Sequence, residues 1–225
     1  MPNLPNHQEV WERLFNQALL LIEDVKKRGD KNLFWTFGGD TVLMRRYNHR
    51  RSKDIDIFFN DPQPLGYVNP RLSAVAENLT TQYVEAAQYV KLFLPEGEID
   101  FVASPNLTSP GYVKEQIQGI DVQVETSTEI IAKKMWHRGD HITARDIFDY
   151  ALVSEREHAS LMAAAPYLLR HVKQVREVIR ARADILRIQF DAIESLDFHP
   201  TFEHACTTLL SDLFALERSE KSGKV

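Results

Sequence analysis

Asp54 and Asp56 stand two residues apart in the stretch Ser52-Lys53-Asp54-Ile55-Asp56. In an extended strand, residues two apart project from one face, so the spacing aims both carboxylates the same way. Two like charges that close repel, and one keeps its proton unless a cation separates them. A divalent ion removes the conflict, because Mg²⁺ takes a few carboxylates and completes its shell with substrate phosphate oxygens. Asp100, within Glu98-Ile99-Asp100-Phe101-Val102, has the same setting, with Ile99 and Phe101 on the opposite face. If that strand neighbours the first, Asp100 completes a three-carboxylate cluster. Two metals about 4 Å apart could then activate a hydroxyl and hold a triphosphate. Glu98 shares the face and is an alternative to Asp100. The competing readings are a solvated strand face for Asp54 and Asp56, and a surface acid on a hairpin for Asp100.

Gly38-Gly39 closes a β-like run and precedes a short helical stretch, Asp40 to Tyr47. Paired glycines allow close backbone approach to a ligand and unusual dihedrals. The helix N-terminus behind them offers free N–H groups to phosphate. A plain tight turn is the simpler alternative. Arg45, Arg46, His49, Arg50, Arg51 and Lys53 crowd into nine residues beside Asp54. This cluster suits nucleotide phosphates or an RNA backbone, or else a short solvated helix. A second basic stretch, Arg170 to Arg187, reads first as a solvated helix face and second as a grip on RNA or an acidic partner. His137 and His141 are four apart, but Gly139-Asp140 intervenes and argues against zinc. Cys206, the single cysteine, reads as core.

The elements that must carry these residues follow from periodicity. Trp11, Leu14, Phe15, Ala18, Ile22 and Val25 recur at helical spacing, and Lys26, Lys27 and Arg28 close that helix before Gly29-Asp30. Leu33–Phe37 and Asp54–Phe59 read as strands, the second with Ile55, Ile57 and Phe59 on the buried face. Pro70 to Leu79 reads as a helix. Tyr89–Leu94 and Glu98–Val102 flank Pro95-Glu96-Gly97 as a hairpin, and Ile120–Val124 is one more strand. Helices are expected at Thr126–His137, Thr143–Val153, and about 158–170, 172–196 and 201–217, with a frayed polar tail from Ser219 to Val225. The fold class is α+β, with a mixed α/β half over residues 1–125 and a helical half over residues 126–225.

Composition fits this reading. The chain has 225 residues, 44% hydrophobic and 26% charged, with a net charge of −5, which supports a globular core and excludes a uniformly basic nucleic-acid coat. No apolar run approaches the roughly 18 residues of a membrane span, and Met1 to Val10 lacks an export signal. A single cysteine excludes internal disulfides. The expected location is cytoplasmic, without a membrane partner.

Taken in order, the motifs resemble the nucleotidyltransferase superfamily, and within it the AbiEii/AbiGii-type toxin nucleotidyltransferases. Those carry a G-G-T-x-L-like stretch, then R-x-S-x-D-x-D, then a helical K-…-R-D-x-x-D segment. This chain has Gly38-Gly39-Asp40-Thr41-Val42-Leu43, then Arg50-Arg51-Ser52-Lys53-Asp54-Ile55-Asp56. It continues with Lys133-Lys134-Met135, Arg138 and Arg145-Asp146-Ile147-Phe148-Asp149. The resemblance spans roughly residues 34–150. It implies a nucleotidyltransferase-like mixed sheet with flanking helices, followed by a C-terminal helical bundle that completes the site. It also implies transfer of NMP from an NTP to an acceptor hydroxyl, with Mg²⁺ or Mn²⁺ on Asp54, Asp56 and Asp100. Gly38, Gly39, Thr41 and Ser52 would bind nucleotide, Lys134 would neutralise triphosphate charge, and Asp146 would organise the site. The family lysine is Lys133 or Lys134, with Lys134 favoured by its place before Met135. Asp40 replaces a small residue, and either perturbs triphosphate docking or caps the following helix. Arg145, Asp146 and Asp149 could equally tie helices together.

The acceptor implied by the resemblance is RNA, such as the tRNA 3′ end. The setting is a bacterial toxin–antitoxin or phage-defence pair with a cognate antitoxin. A protein hydroxyl on a partner is the alternative target. A non-catalytic nucleotide-binding module of the same fold is the alternative role.

Overall fold

The computed structural model describes residues 7–222. These form ten α-helices and seven strands, and they cluster into two compact units. The first takes the chain up to Arg45, then Ser52–Asn106 and Tyr112–Glu125. The second takes Arg46–Arg51, Leu107–Gly111 and the chain from Thr126 onward.

The first unit is built on one mixed sheet. Its strands are β1 (Trp35–Gly38), β2 (Ile55–Phe59), β3 (Tyr83–Ala86), β4 (Tyr89–Phe93), β5 (Glu98–Ala103), β6 (Tyr112–Ile117) and β7 (Ile120–Glu125), in the order β3-β4-β5-β2-β1-β7-β6. β2 runs parallel to β5 and antiparallel to β1, while β1 runs parallel to β7. The alternation read from the sequence is realised: Ile55, Ile57 and Phe59 are buried, as are Ile99, Phe101 and Ala103 across the register. The helix α1 (His7–Arg28) packs on β2 and β5. Trp11, Phe15 and Phe37 form an aromatic cluster, with Phe15 and Phe37 ring centroids 4.9 Å apart. That apolar layer fixes which way the alternate residues of β2 and β5 point.

The α2 helix (Gly39–Tyr47) follows β1 directly. Two short helices were harder to read from periodicity. The α3 helix (Leu65–Val68) is a single turn, and α4 (Ala74–Leu79) is shorter than Pro70 to Leu79 suggests, because Ser73 caps it by accepting from Ala76 N at 3.3 Å. Strands β3 and β6 lie at the two edges of the sheet, are largely exposed, and carry too little apolar alternation to announce themselves. The β6–β7 turn places Gln118 and Gly119 at φ +52° and +81°, the left-handed pair that suits a tight hairpin.

The second unit is helical: α5 (Ser127–Arg138), α6 (Ala144–Ala163), α7 (Ala165–Leu168), α8 (Val172–Ala181), α9 (Ala183–Asp191) and α10 (Phe202–Ser222). Thr126 caps α5, its hydroxyl accepting from Glu129 N at 3.1 Å. Thr143 and Asp146 form a reciprocal capping box at the start of α6. That helix runs past Val153 through a non-helical Glu157 to Ala163, so two expected helices are partly fused. The stretch 172–196 is instead broken at Arg182 into α8 and α9. The α10 helix continues to Ser222, beyond the expected end near 217, so residues 219–222 of the polar tail are helical. Residues 223–225 lie outside the described residues. Phe148, Phe190, Phe198 and Phe202 make the aromatic centre of this unit.

Candidate active site

In the first unit, Asp56 and Asp100 are register partners on the parallel pair β2 and β5. Both lie on the face opposite the buried isoleucines and phenylalanines and are half-buried. The conditional adjacency read from the sequence is therefore met. Asp54 stands one residue before β2 rather than within it. Its Oδ1 accepts from the Glu98 backbone N at 3.0 Å, which ties the entrance of β2 to the entrance of β5.

The glycine pair sits against these acids. Gly39 has φ +73°, and a Cβ there would fall within 3.0 Å of the Asp56 carboxylate. A Cβ on Gly38 would fall within 3.0 Å of the carboxylate of Glu125. Glu125 is fully buried and accepts from Thr36 Oγ1 at 2.9 Å. The two glycines thus make room for carboxylates as well as for backbone approach. Glu125 escaped the sequence reading, because a single acid at the end of a strand carries no spacing signal. Thr41 is fully buried; its Oγ1 lies 2.9 Å from Ser52 Oγ and donates to the Asp54 carbonyl oxygen at 2.5 Å. Ser52 N also donates to Met44 Sδ at 3.1 Å. Thr41 and Ser52 together lock α2 to the segment that delivers Asp54. Asp40 falls in the first turn of α2, where an acid suits the positive end of the helix dipole.

Asp100 is a perturbed acid. Burial pushes its carboxyl up to about 6, against the pull of Lys91, and the charges of Glu98 and Asp54 push the same way as burial. Lys91 Nζ lies 3.1 Å from Asp100 Oδ2 and 2.6 Å from Glu98 Oε2. Asp100 Oδ1 is buried and makes no hydrogen bond among the described residues. Those residues contain no group of three His, Cys, Asp or Glu side chains already gathered as a metal centre. The donor set nevertheless fits Mg²⁺ or Mn²⁺, since such ions are held by one or two carboxylates together with substrate phosphates, and Asp100 Oδ1 offers an unused oxygen. The cavities described, of about 750 Å³ beside Arg28, Asn60 and Tyr67 and about 430 Å³ beside Leu65, Arg71 and Glu85, do not include these acids. The larger one opens near the far end of β2.

The second unit gathers the rest of the motif. Asp149 is fully buried and accepts from Arg50 Nε and Nη2, each at 2.7 Å, and from Lys134 Nζ at 2.7 Å, with His49 Nε2 at 2.9 Å. Burial pushes the Asp149 carboxyl up, but Arg50, Lys134 and His49 outweigh it and hold it well below the usual carboxylate range. Asp146 Oδ1 accepts from Lys134 Nζ at 3.0 Å and Arg138 Nη2 at 2.5 Å, while Oδ2 accepts from the Thr143 N and Oγ1. Lys134 is thus the lysine that joins the Arg145-Asp146-…-Asp149 segment. Lys133 instead pairs with Glu129 at 3.6 Å. Glu129 also accepts from Leu107 N and Thr108 N, holding that loop to α5. Arg145 is exposed.

The basic cluster needs correction in part. His49 and Arg50 are buried partners of Asp149, Arg46 donates to Ser127 Oγ at 3.0 Å, and Arg51 pairs with Glu194. His49 and Arg50 are neither a solvated helix face nor a free phosphate grip, because burial on Asp149 takes up their donors, while Arg46 and Arg51 stay partly exposed. Within Arg170–Arg187, Arg176 pairs with Glu217, Arg180 with Glu177 and Arg187 with Glu203, which fits the solvated-face reading. Cys206 is buried, and burial raises its thiol to about 11.

Residues 22–220 match the family model described as nucleotidyl transferase AbiEii toxin of type IV toxin–antitoxin systems. The chain belongs to the AbiEii nucleotidyltransferase toxin family. Nucleotidyl transfer as the enzyme class comes with that membership, and the type IV assignment implies an antitoxin partner. Among solved structures, the nucleotidyltransferase toxin MenT4 from Mycobacterium tuberculosis H37Rv is similar over 94% of this chain and 89% of its own, at 16% identity and a TM-score of 0.51. JHP933 from Helicobacter pylori is similar over 92% of each chain, at 15% identity and a TM-score of 0.48. At such identities the MenT4 likeness speaks for the fold, which is nucleotidyltransferase-like. No curated protein sequence matches the chain. Among the described residues, no helix of this AbiEii-family protein is long and apolar enough to cross a membrane.

Proposed function

We propose that this AbiEii-family protein transfers NMP from an NTP to the 3′ hydroxyl of an RNA, with tRNA as the first candidate, and that it does so with Mg²⁺ or Mn²⁺. The observation that carries the reading is the registered pair Asp56 and Asp100 on adjacent parallel strands, with Gly39 at positive φ packed against Asp56. Asp54, Asp56 and Asp100 would hold the ion, which when bound supplies charge neutralisation and hydroxyl activation.

The remaining chemistry belongs to the chain. Asp100 would assist a second metal or accept the acceptor's proton. The backbone at Gly38-Gly39 and the Ser52 hydroxyl bind terminal phosphates, and Thr41 holds Ser52 in place. Lys134 holds the lysine place of the family motif, its ammonium shared between Asp146 and Asp149. The acceptor oxygen forms its bond to the α-phosphorus as the bond to the β-phosphate oxygen breaks, and pyrophosphate leaves. The cellular setting proposed is a toxin of a toxin–antitoxin or phage-defence pair acting in the cytoplasm.

The test is incubation of the protein with Mg²⁺ or Mn²⁺, each α-labelled NTP in turn, and total cellular RNA and protein. Label in an RNase-sensitive band, absent for Asp56→Asn, is the expected result. Label in a protease-sensitive band moves the acceptor to a protein hydroxyl, and full transfer by Asp56→Asn sinks the carboxylate assignment.

A further inference from the structure

Lys91 belongs to none of the motifs, yet it touches the proposed site. It lies opposite Asp100 in the antiparallel β4–β5 register, and its ammonium contacts Asp100 Oδ2 and Glu98 Oε2 at once. Four carboxylates, those of Asp54, Asp56, Glu98 and Asp100, come from the ends of β2 and β5. Such a group attracts any divalent ion in solution, with or without nucleotide. A cation fixed beside one of them lowers that attraction.

Resting on the metal-site reading above, we infer that Lys91 is a positioning residue that occupies one oxygen of Asp100, leaves the other free, and weakens binding of bare metal so that the site favours metal delivered with a triphosphate. The division of contacts supports this. Asp100 Oδ2 is held by Lys91 while Oδ1 is buried and open. Glu98 gives the ammonium a second anchor at the shorter distance of 2.6 Å, so Lys91 keeps a partner if Asp100 turns toward an ion. Glu98 is then the holder of Lys91 rather than a substitute metal ligand.

The test is titration of the full-length protein with Mn²⁺ alone, read by loss of the free-ion EPR signal. Lys91→Met is expected to bind bare Mn²⁺ about tenfold more tightly, the scale expected from removing one charge about 5 Å from a divalent ion. Lys91→Arg is expected to match the wild type, and adding Asp100→Asn to Lys91→Met is expected to erase the gain. Lys91→Gln, which keeps a polar side chain, serves as a second variant if Lys91→Met does not fold. Unchanged or weaker Mn²⁺ binding by the folded neutral variants overturns the role of Lys91. If wild-type binding also ignores Asp56→Asn and Asp100→Asn, the carboxylate metal site itself is wrong. A merely structural cross-strand pair would change the melting temperature and leave Mn²⁺ affinity alone.

Discussion

At position 39 two requirements coincide. The backbone is left-handed, and the space where a Cβ would stand belongs to the Asp56 carboxylate. A left-handed alanine costs about 1–2 kcal/mol, and the clash must in addition displace Asp56. Gly39→Ala is therefore expected to lower the melting temperature and to depress NMP transfer more than the stability loss explains. The comparison is transfer rate at a temperature where circular dichroism shows the variant fully folded. Asp56→Asn makes the complementary case. It removes charge with almost no change in volume, so the fold is expected to persist while transfer drops by at least about a hundredfold, a loss on the scale of one well-placed charged group. A folded Asp56→Asn that keeps wild-type kcat would refute the role given to that carboxylate.

Helices α5 and α6 are joined by charges that, apart from Arg138, have little access to water. Asp149 binds Arg50, Lys134 and His49, and Asp146 binds Lys134, Arg138 and the Thr143 cap. Removing one member of a buried network strands the others, which costs about 3–5 kcal/mol. Asp149→Ala is expected to lose that much in urea unfolding. The pH dependence follows from the depressed carboxyl of Asp149. A group whose folded value lies below its unfolded one stabilises the fold above the unfolded value, near 3.9. That contribution fades as pH falls from about 5 through the folded value. Urea midpoints between pH 7 and pH 3 should fall more steeply for the wild type than for Asp149→Asn. At the start of α6, Thr143→Val removes a cap and is expected to cost about 1 kcal/mol, read by the same unfolding curves.

For the molecule as a whole, family membership joins nucleotidyl transfer to a toxin's role. Induced expression of the wild type in a bacterial host without the antitoxin is expected to arrest growth. Asp56→Asn at equal protein level is expected to permit it. Arrest by both would separate toxicity from the carboxylate pair, and co-expression of the cognate antitoxin should restore growth to the wild type. The two compact units are discontinuous in sequence, with Arg46–Arg51 and Leu107–Gly111 grouped with the helical half. The buried pairs of His49 and Arg50 with Asp149, and the part-buried bonds of Leu107 and Thr108 to Glu129, help hold those excursions in the second unit.

The amino-acid sequence alone determined the strand faces at Ile55–Phe59 and Glu98–Val102, the glycine pair, and the order of the motifs. Each of these rests on spacing along the chain, and spacing is local. It also determined most helix starts, because caps such as Thr126 and Thr143 act within three residues. What it could not contain was pairing at a distance. Only the tertiary structure decided that Asp100 stands opposite Asp56, that Lys91 pairs with Asp100, and that the Glu125 carboxylate packs against Gly38. It alone decided that His49 and Arg50, read as surface cations, are buried on Asp149 about one hundred residues away. A charge written in sequence looks the same whether it faces water or a carboxylate. The partner that neutralises it comes from another element, and desolvation then sets what it can do.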